Sequence, residues 1–263
     1  LDWAVAHGFN SSSVDLIYGL PKQTPETFAQ TVQAVIDMSP DRLSVYSYAH
    51  LPTVFMPQRR IAEAELPVAA DKLSILANTI KQLDEAGYQF IGMDHFAKPG
   101  NELAVAQKEG RLHRNFQGYS TQAECDLLAF GISSIGKVDD VYAQNVRTLD
   151  EYYSALDQGS LPTLRGIQLT ADDIIRRELI GELMCQFKLD TKAFGQKHQI
   201  NFMEYFKDDL EELAELEKAD LLTWRAEEII IPRRGRLLVR RVAMAFDARL
   251  KSMKTQARYS KVV

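Results

Sequence analysis

The chain has 263 residues, of which 46% are hydrophobic and 25% are charged, and its formal net charge is −5. These values are ordinary for a globular protein of one large domain or two smaller ones. No apolar run approaches the roughly 18 residues of a membrane span, and the first residues lack the pattern of a secretory signal. We therefore expect a cytoplasmic protein that does not enter a membrane.

Strand-like and helix-like segments alternate through the first half of the chain. The predicted elements are a strand at residues 14–18, a helix that begins at Thr24-Pro25 and stops at Pro40, a strand at 42–48, an amphipathic helix at 69–86 and a strand beginning at 88–91. Strands separated by helices predict parallel pairing, in an α/β barrel or a doubly wound sheet.

Small and polar residues follow the predicted strands. In parallel sheets and barrels, ligands bind at the carboxyl ends of the strands. The segments that we place at such ends are Gly19, residues 48–50, residues 93–95 and residues 133–135. We expect them to converge on one face.

Helices dominate after Arg165. The predicted elements are a helix capped by Thr170, a helix at residues 202–218, strand-like runs at 221–224 and 229–231 around a turn at 226–227, and a final helix that includes Leu237 and Leu250. Helices combined with a β-hairpin predict a winged-helix-like module. We therefore divide the chain into an α/β domain of residues 1–164 and a helical domain of residues 165–263.

Several side chains invite a chemical role, although the residues alone leave alternatives open. Asp15 lies within an apolar strand, where it either accepts hydrogen bonds from a nucleotide-like ligand or pairs across the sheet. Phe116 and Gln117 read more readily as a buried ring and a loop-capping amide than as site residues. The adjacent Asp94 and His95 are more typical of a structural pair than of proton transfer or metal binding.

Metal binding is not supported by the pattern of ligating residues. Cys125 and Cys185 are the two cysteines, sixty positions apart, and we expect both to be buried thiols. An iron–sulfur cluster takes three or four closely spaced thiolates, so the chain cannot hold one alone. The histidines show no ligand spacing that indicates a site.

The end of the chain is strongly basic. Residues 233–263 contain ten Lys or Arg and a single acidic residue, Asp247. Such a segment binds nucleic acid, a polycarboxylate ligand or an acidic face of its own protein, or it is simply a solvated helix face. Arg240 lies beside the apolar stripe of the final helix.

Five segments resemble the oxygen-independent coproporphyrinogen III oxidases of the radical S-adenosylmethionine (SAM) superfamily. They are DLIYGLP at residues 15–21, GMDHF at 92–96, NFQGYST at 115–121, the pattern TxxDxIRR at 170–177 and GRLLVR at 235–240. The resemblance implies part of a radical SAM (β/α) barrel followed by the helical domain. It also implies oxidative decarboxylation of two propionates of coproporphyrinogen III to vinyl groups, with a [4Fe-4S] cluster and SAM generating the radical that abstracts hydrogen.

The resemblance also assigns residues. It implies that Asp15, Ala49 and Ile135 contact SAM, and that Phe116 and Gln117 line the site near the SAM molecule that is cleaved. It names no catalytic or metal-binding residue in this chain. Because four substrate carboxylates need cationic partners, we add Arg240 as a hypothetical substrate contact.

The cluster-binding Cys-x₃-Cys-x₂-Cys loop of the family is expected before Leu1. We therefore expect a fragment that is inactive alone, from an enzyme that is monomeric when complete and does not bind nucleic acid or membranes. An open barrel edge would favour non-native association of the fragment. Two alternatives remain: a cluster-free tetrapyrrole- or heme-binding relative without catalysis, and a winged-helix nucleic-acid binder.

Overall fold

Strands and helices alternate through residues 1–110, the first of two compact units in the computed structural model. The structure describes residues 1–123 and 125–252. The elements of the first unit are α1 (Asp2–Ala6), β1 (Ser13–Tyr18), α2 (Pro25–Met38), β2 (Arg42–Ser47), 3₁₀ turns at Met56–Arg60 and Glu63–Glu65, α3 (Ala69–Glu85), β3 (Gln89–Gly92), β4 (His95–Ala97) and α4 (Glu102–Lys108). Within these described ranges, no helix is long and apolar enough to cross a membrane.

Local sequence signals set the ends of α2 as predicted. The Thr24 side chain accepts a hydrogen bond from the backbone N–H of Thr27, and Pro25 occupies the first turn. The helix ends at Ser39, whose φ of 53° is left-handed and turns the chain before Pro40. The predicted capped helix is therefore confirmed.

The four-stranded sheet has the order β1-β2-β4-β3. β1 and β2 pair in parallel, as predicted for strands joined by a helix. The expectation that all strands pair in parallel is wrong for the third, because β4 pairs antiparallel with both β2 and β3. A tight turn at Met93 and Asp94 folds β4 back from β3, and this short strand takes the place beside β2.

One face of this sheet is covered by α2 and α3. The side chains that form this core are Tyr18, Phe28, Val32, Val35, Leu43, Val45, Ile75, Leu83, Tyr88 and Phe96, with Val14 and Leu16 packed against them. Burial of this apolar area is the main force that holds the helices on the sheet. Side chains alternate between the two faces along β1, so Ser13 and Asp15 point to the face opposite the helices.

The second unit begins at residue 111. Its elements are β5 (His113–Asn115), β6 (Gly118–Ser120), β7 (Ile135–Val138), β8 (Val141–Asn145), α5 (Leu149–Asp157), β9 (Thr163–Gln168), α6 (Ala171–Gln186), β10 (Lys188–Asp190), α7 (Thr191–His198), α8 (Phe202–Tyr205), α9 (Lys207–Lys218), β11 (Thr223–Arg225), β12 (Glu228–Ile230), a 3₁₀ turn at Arg233–Leu238, α10 (Val239–Met244) and α11 (Ala248–Ser252).

Three small sheets lie in the second unit. β5 and β6 form a hairpin, β7-β8-β9 form an antiparallel meander, and β10-β12-β11 form a third sheet. The predicted hairpin around residues 226–227 is confirmed as β11 and β12, which pair antiparallel. The strands β5 to β10 were not predicted, because most are three to five residues long and carry no clear alternation.

Two predicted helices are broken. The helix expected at residues 202–218 divides into α8 and α9 at Phe206, and the final helix divides into a 3₁₀ turn, α10 and α11. The ring of Phe206 is fully buried, with its centroid 4.9 Å from that of Phe202 and 5.5 Å from that of Phe246. The break between α8 and α9 thus coincides with the burial of the Phe206 ring in the core.

The predicted start of α6 is confirmed. Thr170 accepts from the backbone N–H of Asp173, and the Asp173 carboxylate accepts in return from the backbone N–H of Thr170. This reciprocal pair satisfies two donors that the first helical turn leaves open.

Candidate functional site

Polar side chains line the face of the four-stranded sheet that lies opposite α2 and α3. In a parallel pair, residues in register lie on the same face, so Asp15 shares a face with Ser44, and Ile17 with Tyr46. Ser44 is in turn paired with His95 of β4. The sheet is therefore apolar towards its helices and polar on the opposite side.

Asp15 lies midway along β1, which is an edge strand of this sheet. It is exposed, and its carboxylate has no hydrogen-bond or ion-pair partner within residues 1–123 and 125–252. A carboxylate held on a rigid strand accepts hydrogen bonds from hydroxyl or amino groups of a ligand. The described residues therefore offer no partner for the reading of Asp15 as a structural pair across the sheet.

The carboxyl ends of β1 and β2 are tied together by backbone and side-chain contacts. Ala49 follows β2 and is exposed, and its carbonyl accepts from the Nε2 of Gln58 at 3.1 Å. The Lys72 ammonium of α3 donates to the carbonyl of Tyr48 at 3.2 Å. Gly19, with a φ of +86°, passes so close that an added Cβ would lie 2.8 Å from the Lys72 Cε. The carboxyl ends of β1 and β2 therefore combine a tight turn at Gly19 with the ammonium group of Lys72.

His95 belongs to a group of side chains on the same sheet. Its Nδ1 lies 3.4 Å from the Asp94 Oδ1, and its ring meets that of Tyr46 edge-on at 6.0 Å. His50, beyond β2, lies within 3.3 Å of the Tyr48 hydroxyl and within 3.6 Å of a Glu63 carboxylate oxygen. Both histidines thus lie beside carboxylates of the protein, as the structural-pair interpretation of Asp94 and His95 predicts.

Phe116 and Gln117 form the tip of the β5–β6 hairpin. Asn115 pairs with Gly118, which leaves these two residues as the loop. The Phe116 ring is 59% exposed, so the reading of this residue as a buried core ring is wrong. The backbone N–H of Gln117 donates to the Asn115 Oδ1 at 2.8 Å, which fixes the turn and leaves the Gln117 side chain exposed.

Tyr119 anchors this hairpin. Its ring is buried, and its hydroxyl donates to the carbonyl of Met184 in α6 at 3.2 Å. The Arg114 guanidinium lies 5.8 Å from the centre of the same ring. A fixed base below an exposed tip is suited to present Phe116 to a ligand.

Phe116 contacts the β7–β9 meander, and Ile135 is the first residue of this meander. The Phe116 ring meets the Tyr142 ring edge-on, with centroids 5.3 Å apart. Lys137 pairs with Tyr142 across the strands, and Ile135 lies two residues before Lys137, on the same face. Ile135 opens β7, so its predicted place after a strand is wrong, and its backbone faces Gln144 of β8.

The candidate residues divide between the two units. Asp15 and Ala49 lie in the first, and Phe116, Gln117, Ile135 and Arg240 lie in the second. Arg240 belongs to α10, is partly buried, and has no ion-pair partner among the described residues.

Most of the other basic residues near the end of the described chain are paired with acids of the second unit. The ion pairs are Arg234 with Asp220, Arg241 with Glu212, Arg249 with Asp173 and Lys251 with Asp209. Arg236 lies over the Phe187 ring at 4.6 Å, and burial lowers its pKa. These ion pairs agree with the interpretation that the basic segment binds an acidic face of its own protein, and they involve most of its described basic residues. Residues 253–263 lie outside the described residues.

The two cysteines differ in environment. Cys185 is buried, as expected, and burial raises the pKa of its thiol to about 12. Cys125 is exposed, so the expectation of two buried thiols is wrong for it, because it lies in an irregular segment before β7. Over the described ranges, no group of three or more His, Cys, Asp or Glu side chains is placed to hold a metal ion.

Sequence reasoning missed three residues at these sites. Tyr142 supports Phe116, Gln58 holds the carbonyl of Ala49, and Lys72 contacts Tyr48. Each acts through a contact with a segment distant in sequence, and none stands in a motif. The one available signal was the aromatic character of Tyr142 within a polar strand.

Known proteins resemble both units. The family profile described as the HemN C-terminal domain matches residues 169–238. An oxygen-independent coproporphyrinogen III oxidase of Thermostichus vulcanus is 42% identical over 264 residues, which cover all of this chain and 81% of that protein. The chain belongs to the family of oxygen-independent coproporphyrinogen III oxidases.

Longer members of the family are more similar still. The oxygen-independent coproporphyrinogen III oxidase of Salmonella typhimurium is 52% identical over 97% of this chain and 56% of its own length. A solved structure, described as coproporphyrinogen III oxidase (HemN) from Escherichia coli and as a radical SAM enzyme, matches with a TM-score of 0.92 and 51% identity. The match covers 94% of this chain and 57% of that one. The chain thus spans somewhat more than half the length of these two oxidases.

Proposed function

We propose that this chain is part of an anaerobic coproporphyrinogen III oxidase. In that role it serves the oxidative decarboxylation of two propionates of coproporphyrinogen III to vinyl groups, which yields protoporphyrinogen IX for heme synthesis. The observation that carries the proposal is the 42% identity over the whole chain to an oxidase of which it covers 81%. The proposed setting is the cytoplasm, with a small-molecule substrate and no nucleic-acid or membrane partner.

The described residues fit SAM. Asp15 offers an unpaired carboxylate on a rigid strand, which matches the hydroxyl and amino donors of a nucleoside. Phe116 offers an exposed aromatic ring that can pack on a flat or apolar part of a ligand. We therefore propose Asp15, Ala49, Phe116, Gln117 and Ile135 as cofactor contacts. Bound SAM supplies the hydrogen-abstracting radical in this superfamily.

The described residues do not fit a [4Fe-4S] cluster. Cys185 is buried with a raised thiol pKa, and Cys125 has no second thiolate near it in the chain. A cluster needs three or four thiolates, and no metal-binding group occurs in the part of the chain that the structure describes. The proposed role of this chain is therefore to bind, orient and shield, with cluster ligation supplied by other residues.

The chain's own residues have distinct tasks in this proposal. Asp15 orients the cofactor by accepting its hydrogen bonds, while Phe116 and Ile135 exclude water from the reacting side. Arg240 is proposed as a contact to a substrate carboxylate, which its partly buried guanidinium without an ion-pair partner in the described part supports.

The finer features of the fold are part of the same proposal. We infer that the sheet of the first unit contributes to a radical SAM barrel, for which the parallel pair β1–β2 and its polar face are the support. We also infer that residues 165–263 form a winged-helix-like domain distinct from residues 1–164. The start of the matching C-terminal profile at residue 169 supports this boundary.

Anaerobic turnover tests the proposed function. The full-length gene product that contains this chain, supplied with SAM and a low-potential reductant, should convert coproporphyrinogen III to protoporphyrinogen IX. Replacement of Asp15 by Asn should reduce this activity strongly, whereas replacement of Asp37, an exposed carboxylate on α2, should not. Tetrapyrrole binding without turnover would instead favour the non-catalytic relative.

A further inference from the structure

The face of the β7–β9 meander that carries Ile135 also carries two cations. The register places the following residues on it: Ile135 and Lys137 from β7, Tyr142 and Gln144 from β8, and Arg165 and Ile167 from β9. We call these six residues the β7–β9 platform. An aromatic ring stands at its centre, and the cations stand on the two outer strands.

The cations of the platform lack acidic partners in the described part of the chain. Lys137 is partly buried and has no carboxylate within ion-pair distance there. The Nε of Arg165 donates to the Gln144 Oε1 at 2.9 Å, and the Gln144 Nε2 donates to the Ser133 carbonyl at 3.1 Å. These contacts hold the guanidinium by one edge and leave its Nη groups for a ligand.

No acidic side chain belongs to the platform. The nearest acids in sequence, Asp139 and Asp140, lie in the turn between β7 and β8. The backbone N–H of Asp139 donates to the Asp126 Oδ1 at 2.8 Å, so the Asp126 carboxylate serves to hold this turn. The platform therefore presents positive charge next to apolar surface.

The spacing of the cations selects the ligand. Neighbouring strands lie about 4.8 Å apart and a two-residue step is about 7 Å long, so the Cα atoms of Lys137 and Arg165 are about 12 Å apart. A single carboxylate cannot reach both residues without large side-chain movements. Two carboxylates on different arms of one rigid ring can.

We propose that the platform binds the tetrapyrrole substrate. Tyr142 and Ile167 pack against the macrocycle, while Lys137 and Arg165 each hold one of its carboxylates. Forked N–H donors, and an ammonium that has no partner among the described residues, provide the charge complementarity that a polycarboxylate needs. The inference rests on the proposed function and extends it by naming the residues that recognise the substrate.

Binding of coproporphyrin III, the fluorescent oxidised form of the substrate, tests the platform. Titration of the full-length gene product should give a Kd that rises about tenfold or more in Lys137→Met/Arg165→Met. Methionine keeps the unbranched stem of each side chain and removes the charge. The matched control is Arg225→Met, an exposed strand cation on β11, which should leave the Kd unchanged.

The outcomes separate this inference from the proposed function. An unchanged Kd in the double variant, with turnover of coproporphyrinogen III intact, overturns the platform and leaves the function standing. A full-length protein that neither binds coproporphyrin III nor turns over its substrate overturns both. Should the double variant not fold, as judged by its thermal unfolding midpoint, Lys137→Gln and Arg165→Gln are measured singly and the same criteria apply.

Discussion

The ring of Phe116 lies edge-on to the ring of Tyr142, with centroids 5.3 Å apart and planes at 86°. This contact joins the tip of one hairpin to the centre of a separate sheet. The Phe116 side chain is otherwise largely exposed, at 59%. The position of an aromatic side chain assigned to the cofactor site thus depends on a residue outside every motif.

Tyr142→Ala should lower kcat/KM for coproporphyrinogen III in the full-length gene product. An edge-to-face pair contributes about 0.5–1.5 kcal/mol, which corresponds to a loss of roughly 2- to 12-fold. Tyr142→Phe keeps the ring and should stay near the wild-type value. Equal activity of the Ala and Phe variants would show that Phe116 does not depend on this ring.

Arg176→Met should destabilise the second unit strongly. The Arg176 Nη1 donates to the Asp209 Oδ2 at 2.7 Å and to the Phe246 carbonyl at 3.0 Å, and Asp209 is only 5% exposed. Loss of one partner leaves a buried carboxylate with Lys251 alone, which should reduce the free energy of unfolding by about 3 kcal/mol. Urea denaturation measures this value.

The control for Arg176 is a surface pair. Arg241 lies 2.9 Å from the Glu212 Oε1, and both side chains are partly exposed. Arg241→Met should change the free energy of unfolding by less than about 1 kcal/mol. Equal effects of the two variants would contradict the buried-charge explanation.

Asp173 should make stability depend on pH in the acid range. The Arg249 guanidinium, followed by the backbone N–H and side chain of Thr170, holds the pKa of Asp173 well below its usual value. A group whose pKa is lower in the folded state stabilises the fold above its unfolded pKa of about 3.9, and this stabilisation is lost as pH falls through the folded value. Asp173→Asn should therefore remove part of the loss of folding stability that acid causes.

Urea unfolding of the wild type and Asp173→Asn between neutral pH and pH 2 measures the effect. The variants should differ most at neutral pH, where Asp173→Asn removes the charge that pairs with Arg249, and converge as the pH falls. Asp150→Asn, in the exposed first turn of α5, should track the wild type throughout. A constant difference between wild type and Asp173→Asn at every pH would rule out the lowered pKa.

One thiol of the two should react in the folded protein. Cys125 is exposed, whereas Cys185 is buried and the pKa of its thiol is raised to about 12. Only the thiolate reacts readily, so Ellman's reagent at mildly alkaline pH should titrate a single thiol per chain. Cys125→Ser should abolish that reaction, and denaturant should then expose the second thiol. Rapid reaction of folded Cys125→Ser would contradict the buried position of Cys185.

Local sequence signals were sufficient where a single segment decides its own structure. Thr24 with Pro25, and Thr170 with Asp173, cap their helices as predicted because both partners lie within one turn. The apolar alternation of β1 likewise places Asp15 on the face away from the helices. These features need no information from distant residues.

Long-range packing decided what the sequence did not reveal. The position of β4 between β2 and β3 depends on pairing between residues more than 50 positions apart, such as Ser44 and His95. The break at Phe206 accompanies the packing of its ring on that of Phe246. Ile135 was placed after a strand because its apolar surroundings suggested one, although that run is largely an irregular segment. The support of Phe116 by Tyr142 is of the same kind, since it appears only once two hairpins have formed.

The most direct test is the affinity of the full-length gene product for SAM, measured by equilibrium dialysis with Asp15→Asn and Asp37→Asn. A charge-assisted hydrogen bond contributes about 1.5–3 kcal/mol, so Asp15→Asn should raise the Kd at least about tenfold, and Asp37→Asn should leave it unchanged. Equal affinities for the wild type and both variants would contradict the placement of the cofactor at the polar face of the β1–β2 sheet.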